Sequence, residues 1–177
     1  MRYLLLGFSL ILYPTLMAAT NAFPSTPPGF AEIKTLPAGI LIKASGPGSY
    51  FDESSRLFGP LFRYISSRDI AMTTPVEATI KNAEMYFWIA PSEAAKVTGD
   101  AAGVEVIRKA ERRVASLGAR GGYTQANFEK TRAELLVWLQ QQPAVEADGE
   151  VYAVYWNSPF TPWFVKRYEV HVPVRAR

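Results

Sequence analysis

From residue 30 onward the chain spells one order of elements twice: two strands, a helix and two strands, followed by the same again. In the first half, FAEIKTL (Phe30 to Leu36) and Ala38 to Ala44 read as strands joined at Pro37 to Gly39, which predicts a hairpin. The run Ser45 to Ser49 breaks that pattern. Phe51, Phe58, Leu61, Phe62 and Ile65 then fall at helical spacing, predicting an amphipathic helix over Tyr50 to Ile65 with a kink or restart at Gly59 and Pro60. Asp69 to Ile80 and Glu84 to Ala90 are rich in β-branched and aromatic residues and predict a hairpin about Asn82 and Ala83. In the second half, strands are expected at Val104 to Lys109 and Arg112 to Leu117. A helix follows, opened by Thr124 as N-cap with Tyr123 and Phe128 as a hydrophobic staple, and strands at Val151 to Trp156 and Tyr168 to Val174 flank an aromatic loop, Asn157 to Lys166.

Either half alone would leave a sheet face uncovered and strand edges unpaired. The two halves are therefore expected to join in one antiparallel curved sheet or barrel flanked by two helices, an α+β domain built from two pseudo-repeats.

The first 22 residues are a separate object. Arg2, the apolar stretch Tyr3 to Met17, and the small-residue end with Thr20 and Ala22 predict a cleaved secretory signal, hence a periplasmic or secreted protein. The apolar stretch is short of the ~20 residues needed to span a bilayer and contains Pro14, so no stable membrane anchor is expected after cleavage. Residues 23 to 29, FPSTPPG, hold three prolines and read as a tether, with the folded domain covering residues 30 to 177.

Composition narrows the chemistry. The chain has no Cys and a single His, His171, which removes disulfides, thiol catalysis, Cys-rich zinc sites and paired-His metal motifs. Its 19 basic residues are scattered against 16 acidic ones, which is not the footprint of a nucleic-acid binder. Arg108, Lys109, Arg112 and Arg113 read as a solvated hairpin end, and His171, between Val170 and Val172, faces away from both. No G-x-S-x-G elbow accompanies it, so binding is the expected activity rather than triad catalysis.

Apolar residues are in excess on the first helix, including Leu57, Phe58 and Leu61, and in the late loop, at Phe160, Trp163 and Phe164. Core packing alone would account for them. Arg56 and Arg63, however, stand seven residues apart on one helix side, where two cations could clamp the carboxylates of a flat apolar ligand.

Four segments carry a resemblance: IAMTTPV (Ile70 to Val76), MYFWIAP (Met85 to Pro91), YWNSPFTPWFVKRYEV (Tyr155 to Val170) and FRYI (Phe62 to Ile65). Together they resemble the SOUL haem-binding-protein family over about Phe30 to Val174; Met72, Thr73, Pro75 and Val76 match its M-T-x-P-V signature, and Pro159, Glu169 and Val170 its later P-P-x-x-P and R-N-E-V region. The resemblance implies a distorted eight-stranded antiparallel β-barrel with two helices, and non-covalent haem or another tetrapyrrole in an apolar cleft beside the first helix. It places Arg56 and Arg63 at the propionates, and the apolar residues singled out above, Leu57, Phe58, Leu61, Phe160, Trp163 and Phe164, are expected to cover the ring. Two departures stand out. Tyr168 replaces the Asn of R-N-E-V, and Pro37 to Ala44 lacks the axial His that one family member carries near its second strand, so apolar and ionic contacts are left to hold the ligand. The doubled fold is also similar to gyrase-inhibitor-like domains, which implies, as alternatives, a small-molecule binder or a hydrolase using Glu77, Glu84 or Glu169 with Tyr86 or Tyr168. A lipid- or protein-binding envelope module using the aromatic loop is the third reading.

Overall fold

The computed structural model describes residues 20–177, so most of the segment read as an export signal lies outside the described residues. The strands are β1 (Ala31–Leu36), β2 (Gly39–Ser45), β3 (Val76–Thr79), β4 (Glu84–Trp88), β5 (Glu105–Lys109), β6 (Arg112–Arg120), β7 (Val145–Ala147), β8 (Tyr152–Tyr155) and β9 (Arg167–Ala176). Eight of them form one antiparallel sheet in the order β1-β6-β9-β8-β3-β4-β2-β5, and the short β7 pairs with the end of β9. The sheet is strongly curled yet open, a half-barrel whose two edges are β1 and β5.

Exchanging the halves maps β1 onto β5, β2 onto β6, β3 onto β8 and β4 onto β9, and the strand order then reads the same from the other end. The duplication read from sequence is thus a property of the pairing. Two sequence expectations are corrected by it. β1 and β2 do not form a hairpin; β1 pairs with β6 of the second half, and β2 with β4 and β5. Likewise β5 and β6 separate to opposite ends of the sheet, so the basic run between them is not a hairpin end. The β3–β4 hairpin forms as expected, although β3 starts only at Val76, and residues 69–75 approach it without strand structure.

Helix α1 (Tyr50–Ser66) opens at Ser49, whose hydroxyl accepts from the Phe51 N–H, and carries Asp52 and Glu53 where they favour the positive end of the helix dipole. It runs unbroken through Pro60, so no restart occurs there. Helix α2 (Gln125–Gln140) begins at Thr124 as expected, with the Thr124 hydroxyl accepting from the Asn127 N–H at 3.2 Å. Both helices cover one sheet face, where Leu57, Leu61, Phe128 and Leu135 pack with Phe87, Val170 and Val172.

A second, smaller core lies on the other face and contains Leu36, Leu41, Trp88, Val114, Val154, Trp156 and Phe23. The sheet curls toward this face. Glu77 on β3 is reached by Lys109 of β5 and by Arg112 of β6, each three strands away and in opposite directions. On a flat sheet those strands would stand about 14 Å off at ~4.8 Å per strand.

Candidate functional site

On the helix-covered side, the residues expected to line a cleft divide into two groups. Leu57 and Leu61 are buried at the seam between α1 and the sheet. Phe58 is half-buried, its ring edge-on to Phe87 at 5.5 Å and stacked on Phe62 at 5.6 Å. Phe62 itself is 48% exposed. Arg56 is exposed and pairs with Glu53 at 3.4 Å, while the exposed Arg63 guanidinium lies over Gly59, where there is no Cβ to displace it. Phe58 and Phe62 thus stack one turn apart on one side of α1, while Arg56 and Arg63 share another side, about a third of a turn round the helix.

The late loop is more open still: Phe160, Trp163 and Phe164 are 96%, 70% and 62% exposed. Tyr123 ties down its base, donating to the Arg167 carbonyl at 3.0 Å and accepting from the Asn157 N–H at 2.9 Å. Burial pushes the Tyr123 hydroxyl up to about 12, so it stays a neutral donor. Tyr123 packs on Tyr155 at 4.2 Å, and Tyr155 on Tyr50, the first residue of α1, at 5.8 Å. This run of rings connects the loop base to the helix start. Among the described residues no ring contact joins Phe160, Trp163 or Phe164 to Phe58 or Phe62.

The inner face holds the buried charge. Glu169 accepts on Oε1 from the Trp156 indole at 2.7 Å and the Thr26 N–H at 2.8 Å, and on Oε2 from Lys34 at 2.6 Å, Ser116 at 2.8 Å and His171 at 2.6 Å. Burial alone would raise its carboxyl, but the contacts with His171 and Lys34 outweigh it and hold the group at about 2. Because an ionised Glu169 can only accept, His171 carries its proton on Nε2, and Nδ1 accepts from the Tyr152 hydroxyl at 3.2 Å. Burial lowers the His171 pKa and Glu169 opposes that only in part, so the ring is neutral. Glu77 is the second buried carboxylate, bonded to Trp88, Lys109 and Arg112 at 3.0, 2.9 and 2.7 Å.

The expectation that Lys109 and Arg112 are solvated is therefore corrected: both turn inward onto a carboxylate that would otherwise be buried without a counter-ion. Lys34 and the two tryptophans were not singled out by sequence reasoning. A usable signal existed on β9, where Glu169 and His171 alternate with Val170 and Val172 and so had to share the face away from the helices. A catalytic carboxylate needs a raised pKa and a free lone pair for water. Glu169 has neither, and Tyr168 lies on the other face, bonded to Thr131 at 2.8 Å. Among the described residues no cluster of His, Asp or Glu could hold a metal ion.

Solved structures with this fold share little sequence with the chain. The EcmrR C-terminal domain superposes with a TM-score of 0.64 at 12% identity, covering 82% of this chain and 97% of that one. In the EcmrR–DNA complex the match has a TM-score of 0.65 at 12% identity, and this chain, 82% covered, spans only 57% of that protein. A hydrolase from Listeria innocua superposes with a TM-score of 0.56 at 14% identity over 85% of this chain and 94% of its own. At such identities the likeness is one of fold. No curated protein matches the sequence. The SOUL heme-binding protein family model matches residues 25–173, from the segment before β1 into β9, and the strand order, the two helices and the M-T-x-P-V turn into β3 all lie within that span. The chain belongs to the SOUL heme-binding protein family.

Proposed function

We propose that this protein is an exported haem- or tetrapyrrole-binding protein that holds its ligand on the outer face of α1, without an axial His. The observation that carries the reading is the stacked Phe58–Phe62 pair, part of it open to solvent, on a helix that also exposes Arg56 and Arg63, in a chain of the SOUL family. A planar macrocycle would lie against the two phenyl rings, with Leu57 and Leu61 anchoring the helix to the sheet beneath, and its acidic groups would reach round the helix toward the two guanidinium groups. Phe160, Trp163 and Phe164 would close over the ring from the N-terminal end of the helix.

The residues fit a tetrapyrrole plate but not imidazole ligation, because both nitrogens of the chain's single His are already bonded on the other sheet face. Tyr155 has a buried hydroxyl without a hydrogen-bond partner, but its ring is buried between Tyr50 and Tyr123, away from the outer face of α1. Haem, when bound, would supply an iron centre without an imidazole from this chain. Apolar burial should provide most of the affinity, at ~25 cal/mol per Å², offset by the entropy of association. Titrating the purified chain with hemin and following the Soret band tests the reading. Saturable binding at micromolar hemin that Phe58→Ala/Phe62→Ala weakens supports it; no binding at that concentration overturns it.

A further inference from the structure

We infer that the loop from Asn157 to Lys166 docks the protein on a bilayer that contains anionic phospholipid: its apolar tip enters the headgroup region, and basic residues at its base meet the phosphates. Seven large apolar side chains are exposed among the described residues, and four of them, Phe160, Trp163, Phe164 and Val165, lie in this one loop. Scattered singly, such side chains need no explanation; gathered on one protrusion, they mark a surface that something covers. The protrusion is not slack chain. Tyr123 pins its base at the Arg167 carbonyl, the Arg167 N–H donates to the Asn157 side chain at 2.6 Å, and the Gly121 N–H donates to the Lys166 carbonyl at 3.1 Å. The tip also bonds to itself. The Thr161 N–H donates to the Ser158 carbonyl at 3.0 Å and the Val165 N–H to the Pro162 carbonyl at 3.1 Å, while Pro159 and Pro162 have no N–H to leave unpaired. A tip that satisfies backbone donors internally loses less when it leaves water.

Charge identifies what covers the tip. No Asp or Glu occurs between Glu150 and Glu169, or between Glu111 and Glu129. These two acid-free stretches meet where Arg120 of β6 stands opposite Arg167 of β9. Like charges directly opposite on neighbouring strands destabilise a sheet. Yet Arg120, Arg167 and Lys166 form no ion pair among the described residues. An anionic surface supplies the missing counter-charge. A Trp among Phe and Val side chains, with basic residues just behind it, suits a membrane interface, where the indole sits at headgroup level and Lys and Arg reach the phosphates. The contact is peripheral and reversible: one loop tip reaches only the boundary of the acyl chains, and among the described residues no helix is long and apolar enough to cross a membrane. Docking takes the loop as it stands, whereas closing over a macrocycle turns it toward α1, so the lipid contact does not depend on haem.

The experiment mixes the full chain, without hemin, with vesicles of phosphatidylcholine and one quarter phosphatidylglycerol whose acyl chains carry bromine, and follows tryptophan emission. Bromine quenches indoles that enter the bilayer. Residues 1–22 contain no Trp, so they give no signal of their own, and they are the same in every variant. We expect saturable quenching that Trp163→Phe largely removes, because Trp88 and Trp156 are buried. Phe160→Ser/Phe164→Ser should weaken binding more than tenfold, the scale of two apolar rings left in water. Arg120→Gln/Arg167→Gln should weaken it about 25-fold, at roughly fivefold for each basic residue near an anionic surface. The same pair of substitutions should leave the melting temperature level or raise it, since it removes a repulsion and both side chains are exposed. Raising the salt to about 1 M, where the screening length falls to ~3 Å, should release most of the bound chain. Absence of quenching at about 1 mM lipid, an excess over the millimolar range of weak contacts, overturns the proposal. Quenching that persists in Trp163→Phe, or that is equal on phosphatidylcholine alone, overturns it as well. No hemin enters this experiment and no lipid enters the Soret titration, so the two readings fail separately.

Discussion

Lys34 on β1 and Glu169 on β9 are held 2.6 Å apart although β6 lies between their strands, and the pair joins an edge strand to the middle of the sheet. It is a buried ion pair whose carboxylate is saturated by five donors. Removing one partner of such a pair leaves a charge without compensation.

Stability should fall in acid through two groups with the same sign. Glu169 is depressed from 4.5 to about 2, so its contribution is present above pH 4.5 and is lost as the pH falls toward 2. Its upper bound is about 3 kcal/mol, at ~1.4 kcal/mol per tenfold. His171 is depressed below 6.5, so below that pH the unfolded chain takes up a proton that the native chain refuses, and stability again declines. Urea midpoints should be level above pH 7, fall below 6.5 and fall faster below 4.5. Glu169→Gln should flatten the lower limb.

Lys34→Met should destabilise the chain by about 3 kcal/mol, the scale of a buried pair losing its cation. Lys109→Met should cost less, since Arg112 stays 2.7 Å from Glu77. Equal losses in chemical denaturation would show that the two carboxylates share their cations more evenly than the distances indicate.

Phe62→Ala and Leu61→Ala, adjacent in sequence, should separate binding from stability. Leu61 is wholly buried, and its truncation should cost about 2–5 kcal/mol. Phe62 is half-exposed, so its loss should barely move the melting temperature while weakening hemin binding. Arg56→Ala should weaken hemin binding by less than roughly tenfold, because an exposed ion pair is worth about 0–1 kcal/mol.

Protein recovered from the producing cell should begin at Phe23, as read by intact-mass spectrometry. Cleavage after Ala22 removes the Ala22 N–H bond to the Thr74 carbonyl and leaves the Phe23 and Thr26 side chains seated. A dominant species that retains Met1 would contradict export with processing.

Much of this molecule is local and therefore legible in the chain itself. Thr124 caps α2 because its hydroxyl reaches an amide three residues on, whereas of the α1 stripe Phe51, Phe58, Leu61, Phe62 and Ile65 only Leu61 and Ile65 are fully buried and Phe62 turns outward. Alternation along β9 put His171 on the face opposite Val170 and Val172, and the doubled order of elements announced the α+β sheet. What the chain could not announce is non-local. Adjacent β1 and β2 look like a hairpin, yet each pairs with a strand of the other half, and together with β3 against β8 that exchange joins the two halves into one sheet. Lys109 and Arg112 look like solvent-facing charges until the sheet curls and brings Glu77 between them. Phe23 sits in a proline-rich stretch that reads as a tether. Only the closing of the inner face places Trp88 and Trp156 on either side of its ring, because burial belongs to the assembled surface and not to the residue.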